Sequence, residues 1–266
     1  MDERIGLLLR ELGLNWDEAG LLAEIKPFVP EQFLAEGGTA WVFEVKSNDA
    51  PGMSLVMKLP RVRDDDEPLD TPFDECLEAL RHEARILSYP ERLPNVVQVI
   101  ADRTDEVFPF LVLQKLGRTL YDHVPDDSAG LALADCLKVL RDVATGLEAL
   151  HSLQRPHLDV TPKNIFDGPD GWTLTDPCPR EFSTEEFTHP RAPGDLSRDV
   201  IALGGLFLFV YRGEIGDLEL VEGELEDETQ ELRPFMERVL FQDGESPVPS
   251  AKDVKEFAEE LLRKRP

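Results

Sequence analysis

Residues 157–164 read His157, Leu158, Asp159, Val160, Thr161, Pro162, Lys163, Asn164, and Asp176 follows shortly after. A carboxylate, an amide five residues on and a second carboxylate can hold a nucleophilic hydroxyl and one or two magnesium ions against a triphosphate, which is phosphoryl-transfer chemistry. A second candidate lies far upstream. Lys58 is embedded in the apolar run Leu55, Val56, Met57, Lys58, Leu59, and a lysine inside a buried strand is costly unless a carboxylate or a phosphate meets it. Lys58 is therefore either at a strand edge or in a site, and the site is the favoured reading. Glu83 lies beside the apolar stripe of a helix expected over 72–88, where it either leans inward as the counter-ion of Lys58 or faces solvent as an ordinary helix acid. The turn Ala35, Glu36, Gly37, Gly38, Thr39, Ala40 lets backbone amides approach phosphates, because no side chain stands in the way at Gly37 or Gly38. A plain tight turn has the same composition, and the lysine downstream is what favours the phosphate reading.

Positioning these residues needs both strands and helices, and the chain supplies them in two blocks. Over 2–24, Ile5, Leu8, Leu9 and Leu12, then Leu21, Leu22 and Ile25, fall at helical spacing, so two short covering helices are expected, with Asn15 capping the second. Phe33 and Leu34, then Trp41 to Val45 in alternation, read as the strands of a hairpin. A turn cluster over 47–52 precedes the strand of Lys58, and a charged loop over 61–71 precedes the helix that carries Glu83, with Phe73, Leu77, Leu80, Ala84 and Leu87 on one face. Strands are expected over 95–100 and 107–113. Residues 114–118 are the linker candidate, because the chain is strand-rich before them and helix-rich after. A long amphipathic helix over 131–153 leads into the Asp159 segment, and a hairpin of Ile165 and Phe166 with 172–175 delivers Asp176 beside Asn164. Residues 177–195 carry four prolines and no periodicity, the mark of a long functional loop. Asp199 is expected to open an apolar helix over 200–212. An acidic solvent-facing stretch over 213–229 and helices over 231–241 and 250–264, the last capped by Ser250, complete an α+β chain.

Composition narrows the function. The 54 acidic residues against 28 basic ones give a net charge of −26, which would repel nucleic acid and anionic membranes over about a Debye length. A solubilising surface, a high-salt cytosol or a basic protein partner would each account for that charge. Cys76, Cys136 and Cys178 are too few and too widely spaced for a disulfide framework or a CxxC metal site, so a reducing, cytoplasmic setting is expected. The N-terminal residues lack the basic region and cleavage site of a secretory leader. The most apolar run, 200–211, falls short of the roughly 20 residues a membrane helix needs.

In content and order, residues 32–262 resemble the catalytic domain of the eukaryotic-type serine/threonine protein kinases. The resemblance implies a bilobal protein-kinase-like fold: a small antiparallel-sheet lobe with one main helix over 28–116, a larger mostly helical lobe over 117–266, and an N-terminal helical extension over 1–27. It implies ATP and magnesium as cofactors. Residues 35–42 are similar to the family's glycine-rich loop, with Gly37 as the retained middle glycine, Gly38 beside it and Val42 at its valine. Lys58 matches the family lysine that takes the α/β phosphates, and Val56 the residue covering adenine. Glu83 matches the glutamate that pairs with that lysine, Leu113, Gln114 and Leu116 the hinge that holds adenine, and Phe166 a further nucleotide contact. Asp159 stands where the family keeps the aspartate that orients the acceptor hydroxyl. Asn164 and Asp176 stand where it keeps the magnesium ligands, and Asp199 where a buried aspartate braces the catalytic loop.

The departures are also specific. Leu158 replaces the arginine that grips an activation-loop phosphate, and Thr161 replaces a lysine at the γ-phosphate, for which Lys163 is the substitute. Pro177 and Cys178 replace the two residues after the metal-binding aspartate, implying a segment less able to flip. Ala192, Pro193, Gly194 resembles a platform signature without its glutamate, and residues 247–250 lack the arginine that would pair with it. Losing one partner strands a buried charge at a cost of about 3–5 kcal/mol, whereas losing both is close to neutral. The resemblance implies transfer of phosphate from ATP to a hydroxyl, with a protein serine or threonine as acceptor. A pseudokinase that binds nucleotide or a partner without turnover is the alternative, as is a small-molecule kinase of the aminoglycoside or choline type.

Overall fold

The structure, a computed structural model, describes residues 1–62, 71–124, 130–184, 187, 192–214, 232–240 and 245–264. Nearly all of the expected acidic stretch over 213–229, most of the charged loop over 61–71 and both ends of the helix over 231–241 lie outside the described residues. The chain divides into two compact units, Met1–Glu91 with Val97–Leu116, and Arg92–Val96 with Gly117–Pro266.

The first unit is a five-stranded antiparallel sheet with helices. Strands β1 (Phe28–Glu36), β2 (Ala40–Ser47), β3 (Leu55–Pro60), β4 (Val99–Asp102) and β5 (Leu111–Gln114) lie in the order β1, β2, β3, β5, β4. Register decides what each face carries. Val42 pairs with Lys58, Glu44 with Val56, Val56 with Leu113 and Lys58 with Leu111, which puts these residues on one face because side chains alternate along a strand. Trp41, Phe43, Val45, Leu55, Met57, Leu59 and Val112 fall on the other. That second face joins one core with Ile5, Leu8 and Leu9 of α1 (Glu3–Glu11) and Leu21 of α2 (Glu18–Glu24), so the two N-terminal helices are its cover. Helix α2 is capped by Asp17, which accepts from Gly20 N at 2.8 Å, and not by Asn15 as expected. Helix α3 (Phe73–Leu87) buries Cys76, Ala79, Leu80, Glu83, Ala84, Ile86 and Leu87.

Two strand expectations shift. The sheet takes up Val99 to Asp102 and leaves Asn95 to Gln98 out, while β5 begins at Leu111 and not at Val107. Local geometry explains the first shift. Asn95 has φ 54° and donates from Nδ2 to Trp172 O at 2.8 Å, and Val96 makes a parallel bridge with Leu174, which keeps this segment with the second unit.

The second unit is mostly helical: α4 (Leu120–His123), α5 (Leu133–Ser152), α6 (Asp195–Arg212), α7 (Arg233–Val239) and α8 (Ala251–Lys264), with a hairpin of β6 (Ile165–Gly168) and β7 (Gly171–Leu174). Helix α5 packs on α6, α8 and β7 around a core that includes Leu137, Leu140, Val143, Leu147, Leu203 and Leu206. Helix α6 starts at Asp195, one turn earlier than expected, so Asp199 lies inside it, and every residue from Asp199 to Val210 is buried. Ser250 caps α8 as expected, its Oγ accepting from Asp253 N at 3.2 Å while Asp253 Oδ2 accepts from Ser250 N at 2.8 Å. No helix among the described residues is long and apolar enough to cross a membrane.

Candidate active site

In the first unit the lysine is paired. Lys58 Nζ donates to Glu83 Oε1 at 2.9 Å and Oε2 at 3.0 Å, and both residues are only 6% exposed. Strand β3 presents Lys58 on the face opposite the N-terminal helices, and α3 turns Glu83 onto it; of the two readings of Glu83, the inward one holds. Val42 and Val56 lie half-buried on the same face as Lys58, and Leu113 is buried beside Val56. At the expected hinge, Gln114 N donates to Gln98 O at 3.0 Å and Lys115 N to Ser54 O at 2.9 Å, while Leu116 is half-buried. Gly37 and Gly38 are exposed in the turn between β1 and β2, where Gly37 N donates to Ala40 O at 2.8 Å.

The second unit assembles the acids and the amide. After α5 the chain passes through His157 to a 3-10 turn (Pro162–Asn164) that points Asn164 back at Asp159. Asn164 Nδ2 donates to Asp159 Oδ2 at 2.6 Å and to Asp159 O at 3.0 Å. Both amide hydrogens are thereby committed, which leaves Oδ1 as the acceptor of that side chain. The β6–β7 hairpin returns Asp176 to the same place. Thr175 N and Thr175 Oγ1 reach Asn164 O at 2.9 and 3.1 Å, and Thr175 Oγ1 lies 2.7 Å from Asp176 Oδ2. Gly171, with φ 104°, permits this hairpin, since any side chain there would strike the Asp142 carboxylate. Phe166 is half-buried on β6, bridged to Thr119. Lys163 is exposed, with its Nζ 5.5 Å from the centre of the Tyr121 ring.

Below this set lies Asp199, 1% exposed. It accepts from His157 N and Leu158 N, each at 2.7 Å, and from His151 Nε2 at 2.8 Å. Two side-chain-bearing residues adopt left-handed backbone here, Leu158 at φ 67° and Asp176 at φ 58°. Each such conformation costs on the order of 1–3 kcal/mol and persists only where its surroundings over-determine it. The two amide bonds to Asp199 do so for Leu158. His157 is fully enclosed: Nε2 donates to Thr175 O at 2.8 Å and Nδ1 accepts from Asp159 N at 3.2 Å, which fixes one neutral tautomer. Burial holds its pKa below the ordinary histidine value, against the opposing pull of Asp199, Asp159 and Asp176. Burial, then the charges of Asp159, Asp176 and Asp199, raise the Cys178 thiol, so this cysteine is no thiolate nucleophile at neutral pH. Cys178 N donates to His157 O at 3.1 Å, tethering the segment that follows Asp176.

Several members of this site were not singled out from the sequence. Thr175 bridges Asn164 and Asp176, His151 completes Asp199, and Thr184 N donates to Asp159 Oδ1 at 3.0 Å. A threonine directly before a candidate acid was the one legible signal; the other two contacts come from residues distant in sequence. Among the described residues no group of three or more His, Cys, Asp or Glu could hold a metal ion unaided. The amide oxygen of Asn164 and the carboxylate of Asp176 nonetheless fit magnesium, which prefers hard oxygen ligands and is usually held by one or two carboxylates together with substrate phosphates.

Comparisons with known proteins point the same way over part of the chain. It is 30% identical over 101 residues to the human serine/threonine-protein kinase/endoribonuclease IRE2, covering 38% of this chain and 11% of that protein. It is 29% identical over 154 residues to the dual serine/threonine and tyrosine protein kinases of Tetraodon nigroviridis and Danio rerio, covering 50% of this chain and 16% and 17% of theirs. The chain thus spans less than a fifth of the length of these curated relatives. No family model matches the chain. The likeness is to kinases, and the α+β architecture, with its five-stranded antiparallel sheet in one unit and helices dominating the other, is kinase-like.

Proposed function

We propose that the chain is an ATP- and magnesium-dependent phosphotransferase that passes a γ-phosphate to a hydroxyl, with a protein serine or threonine as the favoured acceptor. The observation that carries this reading is the bonded set of Asp159, Asn164, Thr175 and Asp176, which gathers an amide oxygen and a carboxylate, ligand types that suit a hard cation, beside a carboxylate suited to a hydroxyl. Residues 28–116 and 117–266 serve as the two lobes, with 1–27 as an extension. Lys58, held straight by Glu83, takes the α/β phosphate oxygens, with the Gly37 and Gly38 backbone at the phosphates. Val42, Val56, Leu113, Gln114, Leu116 and Phe166 surround the base and sugar. Asn164 and Asp176 hold magnesium, which when bound neutralises phosphate charge that a chain of net charge −26 would otherwise repel. Asp159 orients the acceptor hydroxyl, and Lys163 meets the γ-phosphate only by leaving the Tyr121 ring. Cys76, Cys136 and Cys178 are all free thiols, which suits a reducing, cytoplasmic setting.

One observation favours a second reading, a nucleotide-binding scaffold without turnover. Thr184 N occupies Asp159 Oδ1 while Asn164 occupies Oδ2, so both oxygens of the proposed base are engaged. Labelled ATP and magnesium, offered with a generic basic protein and an aminoglycoside, separate the readings. The phosphotransferase reading expects label on the protein, reduced about 10²- to 10⁴-fold in Asp159→Asn, and lost likewise in Lys58→Met. Label on the aminoglycoside would move the acceptor to small molecules. ATP-dependent thermal stabilisation without transfer to either acceptor would establish the scaffold.

A further inference from the structure

The turn between β1 and β2 is fastened by one residue just beyond β3. Arg61 Nη1 donates to Gly37 O at 2.8 Å and Arg61 N donates to Thr39 O at 2.9 Å, so the two ends of the turn are held at once. The same guanidinium reaches Glu36 Oε1 at 2.5 Å. The other carboxylate oxygen of Glu36 accepts from Trp41 Nε1 at 3.2 Å and lies 3.9 Å from Arg4 Nε on α1. Arg4 in turn sits over the Phe33 ring, 3.7 Å from its centre. A continuous chain of contacts therefore runs from α1 through Glu36 and Arg61 to the tip of the turn. It approaches from the face that α1 and α2 cover, since Glu36 pairs across the hairpin with Trp41, a residue of that core.

The opposite side of the turn is left open. A side-chain carbon at Gly38 would meet nothing within 4 Å, and one at Gly37 would meet only Ala40 O at 3.5 Å. Packing within this unit therefore does not require either glycine.

We propose that Arg61 and Glu36 are positioning residues for nucleotide binding: acting from behind the sheet, they preset the backbone of the 37–39 turn, and α1 anchors Glu36 for that purpose. The inference rests on the phosphotransferase reading for its ligand, but the network itself can be tested without it. Preset amides spare the nucleotide the cost of ordering the turn, so loosening them weakens binding without removing any contact to the ligand. The N-terminal helices are then part of the phosphate-binding apparatus and not only a cover.

The test is amide hydrogen exchange on the nucleotide-free protein, followed by titration with magnesium-ATP. Arg61→Met and Glu36→Gln are each expected to speed exchange at Gly37, whose amide is bonded to Ala40 O, and to weaken ATP binding by about tenfold. The double variant should go little further than either single one, because the two side chains act as a unit. Amides of Phe43 and Met57, deep in the sheet, should not change. Lys46→Ala, which removes the ion pair with Glu31 away from the turn, should change neither reading. Unaltered exchange at Gly37, or a rise spread evenly over the sheet, would overturn the network. Faster exchange at Gly37 with unchanged ATP affinity would overturn its positioning role. A wild-type chain that binds no nucleotide would remove the phosphotransferase reading and the role proposed here, while exchange at Gly37 would still decide whether Arg61 and Glu36 hold the turn.

Discussion

Asp199 and Glu36 are both carboxylates that gather several donors, and they do so under opposite conditions. Asp199 takes two backbone amides and His151 from a position 1% exposed, whereas the Glu36 side chain takes Arg61, Trp41 and Arg4 while 31% exposed. Water can replace any partner of Glu36 but none of Asp199. A buried donor that loses its acceptor bears the full desolvation penalty, while an exposed pair is worth little net. The Asp199 cluster therefore enforces a conformation, visible as the left-handed backbone of Leu158. The Glu36 clamp biases a turn that can still move. Under the proposed function, the chemistry that needs fixed oxygens is assigned to the residues over the buried cluster, and the turn assigned to the phosphates is held by the exposed one.

The hardest way to break this contrast is Asp199→Ala. Removing a buried carboxylate and stranding its three donors is expected to cost about 3–5 kcal/mol in chemical denaturation; a loss below about 1 kcal/mol would make the buried cluster no different from the exposed one. The Lys58 and Glu83 pair sharpens the same point. Glu83→Ala should cost about 3–5 kcal/mol because it takes away both carboxylate hydrogen bonds that Glu83 gives a buried ammonium, whereas Lys58→Met with Glu83→Leu should be close to neutral in stability. Equal destabilisation by both would show that the pair is not the source of the cost.

His157 gives a smaller effect with a defined sign. Its folded pKa lies below the ordinary value near 6.5, so between the two values the unfolded chain binds a proton that the folded chain does not. Stability from this group is full above about pH 6.5 and is lost as pH falls toward the folded pKa, at a slope of at most about 1.4 kcal/mol per pH unit. NMR titration should find the His157 ring neutral and protonated at Nε2 well below pH 6.5, and a ring that charges near 6.5 would contradict the enclosure. Smallest of all, Glu36→Gln should change global stability by no more than about 1 kcal/mol, even though the turn it serves loosens. A larger loss would place Glu36 with the buried kind.

This contrast also sorts what the sequence disclosed from what it hid. Lys58 was legible because a cation in an apolar strand demands an explanation, and the inward Glu83 supplies it. The hairpin of β6 and β7 and the long helix α5 follow from their alternation and periodicity. The strand expected over 95–100 failed at its start because Asn95 and Val96 answer to Trp172 and Leu174, far along the chain, which no local pattern reports. The cap of α2 went to Asp17 because it, next to the first helical residue, accepts from Gly20 N, so Asn15 lies two residues too early. Arg61, Glu36 and Arg4 were unreadable for a different reason: charged residues at strand ends and on a helix look like solvated surface until coordinates show them on one another. Thr184 on Asp159 joins an irregular segment to the site, and irregular segments carry no periodic signal.

The most direct test of the central claim is calorimetric titration of ATP into the chain with and without magnesium, alongside Asp176→Asn. The account predicts binding that needs magnesium in the wild type and is lost or severely weakened in the variant. ATP affinity indifferent to both magnesium and Asp176, or no binding at all, would contradict it.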